Sequence, residues 1–234
     1  MKDPRPPLLL TRPLAASERF AAAFRTRFGA DWPVILCPLM RVEFLSPDLS
    51  SAPVDHLVFT SETAVGAYAR LARDRRATAW CVGPRTAAAA RTAGFAVQDA
   101  AGDGRRLAMM IKSSDVAGRI LWPHGADVAH DIAADLSADG IKTDGLVVYT
   151  QATLDPSPAA MALMEGADPV LLPLFSPRSA RLAVRAFGRA TAPLLVAALS
   201  PAVAAAASPL APRRMTTAAR PGSESLLEAM AALI

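Results

Sequence analysis

The residues whose type and spacing suit chemistry in this chain are polar groups set just after short apolar runs. Thr60, Ser61 and Glu62 follow HLVF, Gly83, Arg85 and Thr86 follow AWCV, Ser176, Arg178 and Ser179 follow VLLPLF, and Ser200 follows LLVAAL. Each set precedes an Ala- or Leu-rich stretch. It therefore falls where the first turn of a helix leaves backbone N–H groups without intrahelical partners, a setting that receives anions such as carboxylates. Ordinary helix capping is the alternative use of the same residues, and both readings stand. Arg178 adds a guanidinium able to clamp a carboxylate through two parallel hydrogen bonds. Arg12 after LLLT, and His124 with Gly125 after ILWP, also lie between an apolar run and a helical stretch. An arginine at such a point is seldom placed for packing, whereas a histidine there is more often a surface turn residue.

Other chemistries lack their residues. No Ser/His/Asp arrangement, paired carboxylates or metal-ligand spacing is present, and Cys37 and Cys81 stand far apart in apolar runs, as buried reduced thiols do. The 25 Lys and Arg against 21 Asp and Glu give a formal charge of +4, and the basic residues are scattered, without the clustered stripe of a nucleic-acid binder. A small anionic ligand suits this balance. The apolar patch near the amino terminus, LLL, is too short for a signal peptide, and a cytoplasmic protein is expected. The stretch from Pro193 to Pro212 is as long as a membrane span but holds Ser200-Pro201 and Ser208-Pro209, so it reads as a buried strand followed by a short Ala-rich helix.

The elements that must position these groups alternate along the chain. Strands are expected at Leu8 to Thr11, Val34 to Leu36, His56 to Thr60, Thr78 to Val82, Ile120 to Trp122, Leu146 to Tyr149, Val170 to Leu174 and Leu194 to Ala198. Helices are expected near 15–28, 62–73, 85–93, 104–113, 126–138, 177–188, 201–207 and 223–233. That alternation is the pattern of a parallel sheet covered by helices on both faces.

A displaced internal repeat organises the elements. VDHLVFTSETAVGAYARL at 54–71 corresponds to DPVLLPLFSPRSARLAVRAF at 168–187, VGPRTAAAA to LSPAVAAAA, and GDGRRLAMMI at 102–111 to GSESLLEAMAAL at 222–233. The segment at 8–36, however, corresponds to 119–148, so it opens one copy and closes the other. This order predicts α/β architecture with two similar flavodoxin-like parallel-sheet domains, one inserted into the other. Residues 1–36 plus 155–234 make the discontinuous domain, 44–147 the inserted one, and 37–43 and 148–154 a two-stranded β connector that carries Arg41. A link of two strands is a hinge, and a ligand is expected between the domains at the carboxyl ends of the parallel strands.

LLLTRP, FTSETAV, VGPRTAAAARTAGF, VVYT and FSPRSA, in this order and spacing, resemble the uroporphyrinogen-III synthases, and the resemblance covers essentially the whole chain. It implies a lyase that cyclises hydroxymethylbilane, a carboxylate-rich linear tetrapyrrole, to uroporphyrinogen III with loss of water and inversion of the terminal pyrrole. It implies no cofactor; no membrane partner and a monomer are expected beside it. Such chemistry asks mainly that a flexible chain be held in one near-attack shape while developing charge is stabilised. The resemblance also assigns Tyr149 as the catalytic group, a phenol able to donate to the departing hydroxyl. Against the family's Gly-x-x-Thr-Ala turn, the second half reads Ser200-Pro201-Ala202-Val203-Ala204 and lacks a hydroxyl at Val203. That departure favours the alternative, a noncatalytic two-domain ligand-binding or sensor paralogue of the same fold.

Overall fold

A computed structural model of the chain describes residues 5–49, 53–100, 102–114, 116–128 and 130–234. It separates into two compact units, Met1–Arg41 with Ala152–Ile234, and Val42–Gln151.

The first unit contains β1 (Leu8–Leu10), α1 (Leu14–Phe28) and β2 (Val34–Leu36) from the amino-terminal segment. In the second unit are β3 (Met40–Phe44, which begins just before the boundary), β4 (His56–Phe59), α2 (Glu62–Leu71), β5 (Thr78–Val82), α3 (Gly83–Thr92), β6 (Ala96–Ala100), α4 (Gly104–Lys112), β7 (Ile120–Gly125), α5 (Ile132–Ala138) and β8 (Thr143–Thr153). The chain then completes the first unit with α6 (Pro158–Met164), β9 (Val170–Leu174), α7 (Pro177–Phe187), β10 (Leu194–Ala198), α8 (Pro201–Ala207), a 3-10 turn at Ser208–Leu210, β11 (Arg214–Thr217) and α9 (Ser223–Ala231).

Strand order in the first sheet is β11-β10-β9-β1-β2, with every pairing parallel. Read from the other edge by position along the chain, this is 2-1-3-4-5, the flavodoxin-like doubly wound order. The second sheet runs β3-β8-β7-β4-β5-β6, and its five strands from β8 to β6 are parallel. If β7 and β8 are matched to β1 and β2, as the displaced repeat requires, the second sheet has the same 2-1-3-4-5 order begun at its third strand.

Both sheets are buried on both faces, which explains their unbroken apolar strands. Leu8 and Leu10 pack among Phe20, Phe24 and Leu226, whereas Leu9 between them packs among Ala183, Val196 and Val203. In β4, Leu57 and Phe59 join Val65, Tyr68 and Phe95, while Val58 turns to Leu107, Ile111 and Ile132. Alternate residues thus feed opposite cores, and truncating one, as in Phe59→Ala, costs about 3–5 kcal/mol.

Several expectations need correction at the edges. β6, β11 and α6 were not expected; the two strands end their sheets and carry polar residues such as Gln98 and Arg214, so they lack the apolar run that marked the inner strands. The helix expected over 126–138 begins at Ile132, where the Asp131 side chain accepts from Ala134 N–H and sets the start. β8 is one continuous strand of 11 residues, Thr143–Thr153, that runs on through Tyr149. His124 and Gly125 lie within β7 and not beyond it.

Candidate functional site

The point in each sheet where strand order reverses lies between β1 and β9, and between β7 and β4; adjacent loops leave such a point in opposite directions and open a crevice at the carboxyl ends. In the second unit that crevice is built from the ends of β8, β7, β4 and β5. Ser61 has extended backbone and caps α2, its Oγ accepting from Ala64 N–H at 3.1 Å. The cap follows from serine's short hydroxyl, and Glu62 in the first turn favours the positive end of the helix dipole. Glu62 also pairs with Arg85 at the start of α3, tying the ends of β4 and β5 together. Gly83 makes the turn into α3 with φ +72, a left-handed conformation that favours glycine. Thr60 follows β4 directly and is half-buried.

Tyr149 is half-buried on β8, its ring packed against the core under α2. Its hydroxyl lies 3.4 Å from Ser61 Oγ, and its carbonyl accepts from Ala126 N–H at 2.9 Å. Beneath the ring is Gly125, where a Cβ would stand 2.6 Å from ring Cζ. A small hollow of about 60 Å³ opens beside it against Ala126, Asp127 and Gln151. His124 faces the opposite core, stacked on Trp122 with centroids 4.1 Å apart, and its Nδ1 lies 2.8 Å from Gly125 O. A hollow of about 510 Å³ at the amino ends of the strands, against Ala77, Arg119 and Asp144, contains none of the expected site residues.

In the first unit the corresponding crevice joins the ends of β1, β9 and β10. The Arg12 guanidinium lies over the Phe175 ring at 4.1 Å, and Phe175 meets Phe20 edge-on. Ser176 and Ser179 form a reciprocal capping box at the start of α7, with Arg178 half-buried between them. Ser200 caps α8 by accepting from Val203 N–H at 3.4 Å, in an extended conformation that makes glycine unnecessary there.

The expected residues therefore divide. Tyr149, Ser61 and Gly125 come together, as do Glu62 with Arg85 and Arg12 with the neighbour of Ser176. Thr86 and Ser179 are turned inward, 6 % and 3 % exposed, and Ser179 Oγ is engaged by Ser176. Val203 is 1 % exposed in the apolar core. Its missing hydroxyl is thus a core substitution, matching buried Thr86, and removes nothing from the crevice. Phe175 was not singled out from sequence, although an aromatic ending a buried strand beside an expected arginine was a usable signal. Among the described residues no cluster of His, Cys, Asp or Glu suits a metal ion, and both cysteines are free and buried.

Comparison with known proteins follows the same lines. Over the full length the chain is similar to a uroporphyrinogen-III synthetase structure from Helicobacter pylori 26695, with 15% identity, TM-score 0.70 and coverage of 99% of this chain and 100% of that one. It is also similar to a mutant uroporphyrinogen III synthase from the extremely thermophilic bacterium Thermus thermophilus, with 14% identity, TM-score 0.55 and coverage of 97% and 96%. At these identities the likeness establishes the fold. None of the curated proteins matches. A family model described as uroporphyrinogen-III synthase HemD matches residues 18–228, nearly the whole of both units, and the chain belongs to the uroporphyrinogen-III synthase family.

Proposed function

We propose that this enzyme cyclises hydroxymethylbilane to uroporphyrinogen III, with Tyr149 as the proton donor and the strand-end turns as carboxylate receptors. The observation that carries the reading is the family match across residues 18–228, and the placement of a phenol at the point of strand-order reversal adds to it. The terminal hydroxymethylpyrrole loses its hydroxyl as water when Tyr149 O–H supplies a proton, leaving a cation stabilised by the pyrrole nitrogen. The substituted carbon of the pyrrole at the other end of the chain attacks that cation and forms a spiro intermediate. Reopening and reclosure invert the attacking ring, and the proton released on rearomatisation restores the phenol.

Because spontaneous closure gives the unrearranged isomer, the protein's task is mainly to hold the substrate in one shape. The helix starts at Thr60, Ser61, Glu62, Gly83, Arg85 and Thr86, and at Ser176, Arg178, Ser179 and Ser200, are the positions that receive the carboxylates, with Arg12, His124 and Gly125 at the neighbouring strand ends. The reaction as written needs no cofactor. A discontinuous domain, 1–36 plus 155–234, an inserted domain, 44–147, and connecting strands over 37–43 and 148–154 are part of the proposal, supported by the two compact units. So are a monomer and a cytoplasmic location, the latter supported by the two free buried thiols. Among the described residues no helix is long and apolar enough to cross a membrane.

Purified protein supplied with enzymatically generated hydroxymethylbilane is expected to yield isomer III, resolved chromatographically from isomer I. Isomer I alone, at the spontaneous rate, overturns the proposal.

A further inference from the structure

Four features of the second unit converge on the side chain of Tyr149. The pairing of β7 with β8 runs in register to His124 opposite Val147, and then Gly125 lies opposite Tyr149, leaving Val148 as an extra residue in β8. A bulge of this kind bends its strand and re-aims the next side chain. Val148 itself is fully buried, and Ala126 N–H holds the Tyr149 carbonyl just past the irregularity.

Gly125 supplies the space into which the re-aimed ring fits. A Cβ there would stand 2.6 Å from Cζ, 2.7 Å from Cε2 and 2.9 Å from the phenol oxygen, all nearer than non-bonded atoms approach. The backbone makes no such demand, because Gly125 is absent from the positive-φ glycines. Glycine is therefore required here by the tyrosine ring. At the far end of the ring, Ser61 Oγ already accepts Ala64 N–H, and its remaining hydrogen-bonding capacity lies 3.4 Å from the phenol. Backbone, ring and hydroxyl are each held by a different partner.

We infer that Gly125 and Ser61 are positioning residues that seat the Tyr149 phenol in one orientation, Gly125 by leaving room for the ring and Ser61 by engaging its hydroxyl. The consequence for turnover rests on the proposed role of Tyr149 as proton donor. Misplacing a reacting group by about 1 Å can cost up to roughly 10²-fold. Gly125→Ala and Ser61→Ala are each expected to lower kcat about tenfold or more, with KM within about twofold, and to have no further effect in a Tyr149→Phe background.

Kinetics of the singles and of the doubles Gly125→Ala/Tyr149→Phe and Ser61→Ala/Tyr149→Phe test the functional consequence. A loss of equal factor with Tyr149 present and in the Tyr149→Phe background assigns both residues a merely structural role and overturns it, as does wild-type kcat in Tyr149→Phe. The Ser61 arm decides the matter if Gly125→Ala does not fold. A second arm needs no substrate. The chain has two tyrosines, and Tyr68 is buried, so tetranitromethane labelling followed by peptide mass reads Tyr149. Gly125→Ala, or Ser61→Ala in its stead, is expected to speed that labelling severalfold; an unchanged rate overturns the seat itself. If wild type makes only isomer I while labelling accelerates, the reaction proposal fails and the seat stands.

Discussion

At the scale of single residues, the two crevices use different means to present polar groups. In one, a phenol is fixed by a missing side chain below it and a capping serine beside it. In the other, a guanidinium lies over the Phe175 ring, a cation–π contact worth about 0.5–1 kcal/mol at an exposed site. If Arg12 receives a substrate carboxylate, Phe175→Leu removes its platform but leaves its charge. A rise of a few fold in KM at nearly unchanged kcat is expected for Phe175→Leu. Arg178→Ala acts in the same direction, weakening product binding more than turnover, while Tyr149→Phe lowers kcat by roughly 10²-fold with little change in KM. Steady-state kinetics with hydroxymethylbilane, with product inhibition added for Arg178→Ala, measure all three. The residue types at the strand ends were legible because caps and anion receptors draw on the same few side chains. Their groupings were not: Ser61 and Tyr149 are 88 positions apart, and only the parallel pairing of β4, β7 and β8 brings them together.

Among elements, inner strands were read from their apolar runs because both faces of each sheet are covered, and Leu8 to Leu10 or Val170 to Leu174 have no other use. Edge strands carry no such run, and β6 and β11 are legible only as partners of β5 and β10. Helix packing adds a charge cluster that neither helix implies alone. Lys112 on α4 reaches Asp135 at 2.6 Å and Asp139 at 2.5 Å near α5, and His130 Nε2 lies 2.9 Å from Asp135. The Lys112 ammonium first, and His130 second, hold the Asp135 carboxyl below its ordinary range. A carboxylate lowered in this way stabilises the fold above about pH 3.9, its unfolded value, and loses that contribution as pH falls through the lower folded value. Asp135→Asn should therefore reduce the urea midpoint by roughly 0.2–0.5 M at neutral pH. The difference should close as the pH is taken progressively below about 3.9, followed by circular dichroism; a gap that persists in acid would assign the loss to packing.

At the scale of the whole molecule, each compact unit has apolar clusters on both faces of its own sheet. The second is continuous in sequence, and residues 42–151 expressed alone are expected to unfold cooperatively in urea. The first is made of two segments, but Leu154 N–H donates to Leu39 C=O at 2.9 Å within it, so its broken ends are neighbours. A short Gly/Ser linker from Arg41 to Ala152 should yield a folded single-domain protein, and a broad, non-cooperative transition for either fragment would count against its independence. The shared 2-1-3-4-5 order, begun at the third strand in the second sheet, governs where a guest can be spliced into a host. A copy in native order would begin on its first strand and finish on its fifth, several strand spacings of about 4.8 Å away. Started at the third strand and finished on the second, the guest leaves from β8, the immediate neighbour of the entering β3. The permuted order, together with the added edge strand β3, thus lets the inserted chain enter and leave on neighbouring strands of its own sheet.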